Sequence, residues 1–299
     1  MTAIDIEQAY RELRPLVFAI AYRMLGSASQ AEDIVQDAFL RLQAAEPAEP
    51  IRSTRAYLVS VTTRLAIDHL RSARVRRESY VGPWLPEPLL RVEPIAETSA
   101  LAADSLSMAF LVLLESLSPV ERAVFLLHDV FEVDYDQIAA IVGKSGVNCR
   151  QIASRARREI EAGRPRFEPS RGERDELARR FFAAAGSGDL GGLVNLLSAD
   201  ATFHGDGGGK ARGLPRPVSG GERVARLLIS FFAVAGDHSL QLEPAQVNGQ
   251  PGALMREPDG RLVNVYALDI AGGRVRAVRS VINPEKLAHL GPVSDLARR

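Results

Sequence analysis

Asn148, Arg150, Gln151 and Ser154 stand within about two helical turns of one another, with Arg155, Arg157 and Arg158 close behind and Ser145 just ahead. Amide, hydroxyl and guanidinium groups at that spacing can reach base edges in a major groove, and the arginines that follow suit phosphates. A second basic run, Arg52, Arg55, Arg64, Arg71, Arg74, Arg76 and Arg77, is opposed only by Asp68. Lys plus Arg and Asp plus Glu both total 37, so net charge favours no nucleic acid, whereas two separated basic helices could touch it in two places. Either stretch alone could equally be a solvated helical face. Near the C-terminus a glycine run, Gly207-Gly208-Gly209, lies between Asp206 and Lys210, and Asn283-Pro284-Glu285-Lys286-Leu287 follows the final strand-like run. The glycines permit close backbone approach, or simply a flexible hairpin loop, and they lack the spacing of a phosphate-binding P-loop. His204, Asp206, His238, Tyr266 and Asp269 are the acid–base candidates, but no two are spaced in a way that demands catalysis. Five His and one Cys without a cluster give no expectation of a metal site.

The elements that must hold these residues are helical through the first half. Apolar positions Leu13, Leu16, Val17, Ile20, Ala21 and Met24 recur at helical spacing from about Asp5 to Leu25, where Gly26 stops them. Ser29 and Glu32 suggest a capping box for a helix from Ala31 to about Ala45, ended by Pro47 and Pro50. Thr54 is the expected cap of a helix running to about Arg77. From Tyr80 to Glu97 the prolines make regular structure unexpected, yet this linker carries the single tryptophan, Trp84. A helix is expected from Ser99 to Leu117, and Ser118, Pro119 and Glu121 signal the start of another over Val120–Val130. Tyr135–Val142, a turn at Gly143-Lys144-Ser145, and Gly146 to about Ala162 then form a helix-turn-helix, braced by Ile138, Ala139, Ile141 and Val142.

A second proline-containing linker spans Arg164 to Gly172, and beyond it the pattern changes. Helices over Glu173–Ala185 and Asp189–Leu197 precede a short strand, Ala201–His204, and a helix over Glu222–Ala235. Strand-like runs Ser239–Val247, Leu262–Ile270 and Arg274–Ile282 follow, with turns at Asn248-Gly249, Asp259-Gly260 and Gly272-Gly273. Helices first and an antiparallel sheet last indicate an α+β domain.

The order AEDIVQDAFLRL (Ala31 to Leu42), then RAYLVSVTTRLAIDHLRSARVRRE (Arg55 to Glu78), resembles the sigma-2 domain of extracytoplasmic-function sigma factors. SPVERAVFLLHDV with the helix-turn-helix behind it resembles their sigma-4 domain. YVGPWLPEPL (Tyr80 to Leu89), DGGGKAR (Asp206 to Arg212) and NPEKL resemble the SigJ-type subgroup, in which a SnoaL-like domain of the cone-shaped NTF2-like fold follows sigma-4. Glu285 replaces the usual aspartate of that last motif, a conservative departure.

The resemblance implies a multidomain chain: sigma-2 over 1–79, a linker over 80–98, sigma-4 over 99–168, both all-α, and an α+β SnoaL-like domain over 173–290. It implies that Asp33, Gln36, Asp37, Phe39, Leu40 and Leu42 dock on the clamp helices of the polymerase β′ subunit. Arg64, Asp68, Arg71, Arg74, Arg76 and Arg77 would read and open the −10 element, and the second helix of the helix-turn-helix would read the −35 element. The C-terminal domain would regulate in cis by gripping the linker or sigma-2, through Trp84, Asp206, Gly207, Gly208, Gly209, Lys210, Asn283, Pro284, Glu285, Lys286 and Leu287. Core polymerase, its β subunit included, and promoter DNA are the implied partners, with no cofactor, no membrane and a free monomer. With an acidic, amphipathic start and no long apolar stretch, the chain is expected in the cytoplasm, and the lone Cys149 agrees with a reducing compartment. Two other readings remain open on sequence grounds: a DNA-binding regulator without polymerase, and an NTF2-like domain that binds a ligand or catalyses a reaction.

Overall fold

The computed structural model describes residues 5–45, 51–77, 80–90, 101, 104–163 and 170–296, with the side chains of 73–77 outside the description. The chain divides into two compact units, one of helices before residue 80 and from 110 to 163, the other joining residues 80–90 to the C-terminal domain.

In the first unit, α1 (Ile6–Leu25) begins where Asp5 accepts the Gln8 amide and ends where Gly26 takes a left-handed conformation, φ 66°. Helix α2 (Ala28–Gln43) is capped by Ser27, which accepts from the Gln30 amide. The Ser29 capping box is therefore not formed: the chain re-enters helix immediately after Gly26, so the earlier serine takes the cap. Ser53, not Thr54, likewise caps α3 (Thr54–Arg77), accepting the Ala56 amide. The three helices close on Val17, Val35, Ala38, Phe39, Leu42 and Leu58.

In the described part of the helix expected over 99–117, Leu101 and Asp104 are helical, residues 105–107 interrupt, and α4 (Met108–Leu114) follows. Helix α5 (Pro119–Phe125) has the full capping box expected of Ser118 and Glu121. It widens into a π-helical turn, Leu126–Val130, where the Phe131 amide reaches back to the Leu126 carbonyl. Helices α6 (Tyr135–Val142) and α7 (Gly146–Gly163) follow, joined through Gly143 at φ 67°. Ile138 and Ile141 are the buried residues of α6, and Cys149, Ile152, Ala153, Ala156 and Ile160 form the buried stripe of α7. Cys149 is a free, buried thiol.

Two buried arginines stitch the first three helices to the later ones. Arg122 of α5 donates to the Met24 carbonyl at the end of α1 (2.6 Å) and pairs with Glu115 (2.7 Å). Arg23 donates to Ser105 Oγ at 2.7 Å. Each guanidinium supplies a donor to a buried carbonyl or hydroxyl.

In the second unit, a capping box of Ser170 and Glu173 starts α8 (Arg171–Ser187), and α9 (Leu190–Leu196) leads straight into β1 (Leu197–Asp206). Short β2 (Val218–Ser219), α10 (Gly221–Asp237), β3 (Gln241–Val247), β4 (Gln250–Arg256), β5 (Leu262–Ala271) and β6 (Arg274–Val281) complete it, with α11 (Pro284–Leu287) in the tail. Among the described residues the sheet has six strands in the order β2-β1-β6-β5-β4-β3. Phe181, Phe182, Leu193, Val224 and Leu228 of the helices pack on Phe203, Tyr266, Leu268, Val275 and Val278 of the sheet.

Two sequence expectations are corrected here. The sheet is mixed, because β1 runs parallel to β6. Strand β4 was not foreseen, yet every residue from Gln250 to Met255 is buried between β3 and β5. A side chain at Gly252 would collide with the Tyr266 carbonyl, so the glycine is what lets the strands approach.

Candidate functional site

The linker side of the second unit is organised around Asp206, the last residue of β1. Its backbone carbonyl accepts the amides of Ile282 and Asn283, which fixes the tail beside it. Its fully buried carboxylate accepts from Tyr80 Oη (2.5 Å), the Leu85 amide (2.7 Å) and Lys286 Nζ (2.6 Å). Lys286 Nζ also donates to the Leu85 carbonyl at 2.5 Å. The same ammonium lies 4.8 Å from the ring centre of Tyr80 and 4.5 Å from that of Trp84. A buried ammonium is thus met by a carboxylate, a carbonyl and two aromatic faces, the groups that offset its lost hydration. Burial and the neighbouring Asp206 carboxylate push the Tyr80 phenol well above its ordinary pKa, so it stays a donor.

Further anchors hold the linker at Tyr80, Pro88 and Leu89. Asn283 donates to Tyr80 Oη at 3.1 Å and caps α11 by accepting the Glu285 amide. Asn248 and Gly249 both have positive φ (55° and 71°) between paired Val247 and Gln250, a type I′ hairpin turn. That turn presents Asn248, whose amide donates to the Leu89 carbonyl while its side-chain oxygen accepts the Leu89 amide. His289 hydrogen-bonds the Pro88 carbonyl at 2.8 Å. Leu85 and Leu89 are buried in consequence, so the described part of the linker, 80–90, lacks regular structure, as expected, but is no passive spacer.

Of the residues expected at this contact, Asp206, Lys286, Trp84 and Asn283 meet directly, and Pro284 and Leu287 are buried behind them. Gly208 (φ 57°) has no room for a side chain, since a Cβ would collide with Asn283 Nδ2 and Tyr80 Oη; one on Gly209 would lie 3.3 Å from Val81. Gly207 instead serves its own loop, packed on the Ala211 carbonyl and Gly213 amide. Lys210 bridges to Glu285 at the surface, 3.1 Å. Tyr80, Asn248 and His289 were missed. Tyr80 stood inside the quoted linker motif, whereas Asn248 read only as a turn residue.

In the first unit, Asp33, Gln36, Asp37 and Leu40 share the exposed face of α2. Phe39 and Leu42 do not: at 6% and 2% exposure they belong to the core, because the helical period turns them inward. Asp68 and Arg71 are exposed and paired with each other. Arg64, although exposed, donates to the carbonyls of Ala140 and Ile141 at the end of α6 and so caps that helix. The side chains of Arg74, Arg76 and Arg77 lie outside the described residues.

On the helix-turn-helix, Ser145 caps α7 by accepting the Asn148 amide. Asn148, Arg150, Gln151, Ser154, Arg155 and Arg158 are exposed along one side of α7. Arg157 departs from expectation: its Nε donates to Asp129 (2.5 Å) and its Nη2 to Tyr135 Oη (3.3 Å), which ties α7 to the preceding turn.

Among the acid–base candidates, His204 and Asp269 come near one another around Arg279, and the others are engaged separately. Asp206 is committed to the linker, Tyr266 packs between Phe182 and Phe232, and His238 is exposed at the end of α10. Asp269 pairs with Arg279 at 2.7 Å. Burial and the Arg279 charge hold His204 down at about 4.

Comparison with known proteins gives this arrangement its place. Sigma-70 region 2 matches residues 9–76, and Sigma-70 region 4 matches residues 107–160. The ECF RNA polymerase sigma factor SigJ of Mycobacterium tuberculosis is 36% identical, over 93% of this chain and 91% of its own. The probable ECF RNA polymerase sigma factor SigI of that species is 33% identical, over 94% of each chain. The crystal structure of M. tuberculosis extracytoplasmic function sigma factor SigJ superposes with a TM-score of 0.74 at 34% identity, covering 94% of this chain and 98% of that one. With both sigma regions in place and the likeness carried through the C-terminal domain, this chain belongs to the extracytoplasmic-function sigma factors of RNA polymerase.

Proposed function

We propose that this sigma factor, which binds core RNA polymerase and directs it to promoters, is controlled in cis by its C-terminal domain through the linker. The observation that carries the proposal is the buried Lys286–Asp206 pair closed over Tyr80, Trp84 and Leu85. Burying an ion pair is costly unless its remaining hydrogen bonds are met, and here the linker backbone meets them. Holding 80–89 on the C-terminal domain fixes where the segment joining sigma-2 (1–79) to sigma-4 (99–168) can go.

Asp33, Gln36, Asp37 and Leu40 form the polymerase-docking face, on the β′ clamp helices. Asp68 and Arg71, with Arg74, Arg76 and Arg77, follow the −10 element, and the exposed side of α7 reads the −35 element. The proposal gives the chain no catalytic role.

Promoter-specific transcription by sigma-free core polymerase tests it, with the full chain, the Asp206→Asn/Lys286→Met double variant, and residues 1–168. Transcripts should arise from each, at a level that changes once the linker contact is lost. Equal levels from all three would remove the regulatory role, and no transcripts across a promoter library, from folded protein, would remove the residue assignments.

A further inference from the structure

Tyr135 opens α6 without being part of the stripe that packs on α7, yet it is the meeting point of side chains from three elements. His128 of the π-helical turn stacks on its ring with centroids 3.9 Å apart, and His128 Nδ1 is held at 3.1 Å from the Val133 carbonyl. Its hydroxyl accepts from Arg157 Nη2, and Arg157 is itself fixed by Asp129. The Arg150 guanidinium lies over the ring, 5.4 Å from its centre.

Arg150 is exposed on the first half of α7, the part of a recognition helix that meets base edges. Among the described residues no hydrogen bond or ion pair holds it, so the Tyr135 ring is its fixed contact. An arginine left to wander loses much side-chain freedom on binding, whereas one laid on an aromatic face loses less and offers its fork at a defined place. That matters most for a guanine, whose O6 and N7 are taken by two donors at once.

We propose that Tyr135 is a specificity-determining positioning residue: braced by His128 and Arg157, its ring sets Arg150 for bidentate recognition of a guanine in the −35 element. The proposal rests on α7 reading that element. Tyr135 itself touches no base.

The test uses the full chain with core polymerase on promoters randomised across the −35 element. Arg150→Ala first locates the position at which base preference collapses. Tyr135→Leu should then weaken preference at that same position by roughly threefold, the value of an exposed cation–π contact, and leave the other positions unchanged. It should add nothing in an Arg150→Ala background, and Tyr135→Phe, which keeps the ring, should stay near the parent. Tyr135→Met replaces the leucine variant if that one fails to fold. A uniform fall across the library, or an effect that multiplies with Arg150→Ala, would show a merely structural tyrosine and overturn the proposal. If Arg150→Ala shifts no preference, the base-reading role of Arg150 itself falls, a result distinguishable from the first.

Discussion

Replacing Lys286 with methionine keeps most of the side-chain volume and removes one charge from a place where charge is hard to bury. The Asp206 carboxylate, 0% exposed, would keep the Tyr80 hydroxyl and the Leu85 amide but lose its counter-ion. The Leu85 carbonyl would lose its donor as well. Breaking a buried pair from one side costs about 3–5 kcal/mol, which shifts the docked-to-released ratio of the linker by more than about a hundredfold. Because Trp84 is the single tryptophan and lies 4.5 Å from the ammonium, its emission reports docking directly. The Lys286→Met protein should show a red-shifted, more quenchable Trp84 and a lower denaturation midpoint read at that wavelength. Asp206→Asn should do the same. Together the two changes should cost less than their sum by about 1–3 kcal/mol, because residues in one network are not additive. Strictly additive changes, or a Trp84 signal unmoved by Lys286→Met, would refute the argument that this pair holds the linker.

Four other outcomes follow from the same geometry. Gly208→Ala should release the linker by about 2 kcal/mol, the sum of a left-handed alanine and the broken Asn283–Tyr80 hydrogen bond, visible again in Trp84 emission. Tyr80 has a raised pKa, so the stability that it contributes is complete below the free phenol value of about 10 and is lost as pH rises beyond it. Alkaline titration of Trp84 emission should therefore show a release that Tyr80→Phe abolishes. His204, lowered to about 4 by burial and the Arg279 charge, contributes stability present above its free value of about 6.5 and lost as pH falls toward 4. Thermal melts between those limits should flatten in His204→Gln. Arg122→Ala should destabilise the helical unit by about 3 kcal/mol in chemical denaturation, since the Met24 carbonyl and Glu115 lose their buried donor.

Local rules were enough for much of the molecule. The Ser118–Glu121 capping box, the stop at Gly143 and the Ser145 cap are contacts between residues a few positions apart, so their types and spacing alone specify them. The apolar stripes of α1, α2 and α7 specify which faces are buried, and the motifs around Trp84, Asp206 and Lys286 marked the residues that meet. The helical period alone puts Phe39 and Leu42 in one apolar stripe with Ile34, Val35 and Ala38, the face that is buried.

What the sequence left open depends on partners far along the chain. Gln250–Arg256 has neither alternation nor β-branched residues, and it becomes a strand because β3 and β5 satisfy its backbone from both sides. The parallel pairing of β1 with β6 joins segments separated by the whole domain, and no local pattern encodes that register. Arg64, Arg150 and Arg157 look alike as solvated arginines in a list of residues. Only the tertiary structure decides that one caps α6, one rests on Tyr135 and one is tied to Asp129, because a guanidinium's role is set by whichever carbonyl, ring or carboxylate the fold brings within reach.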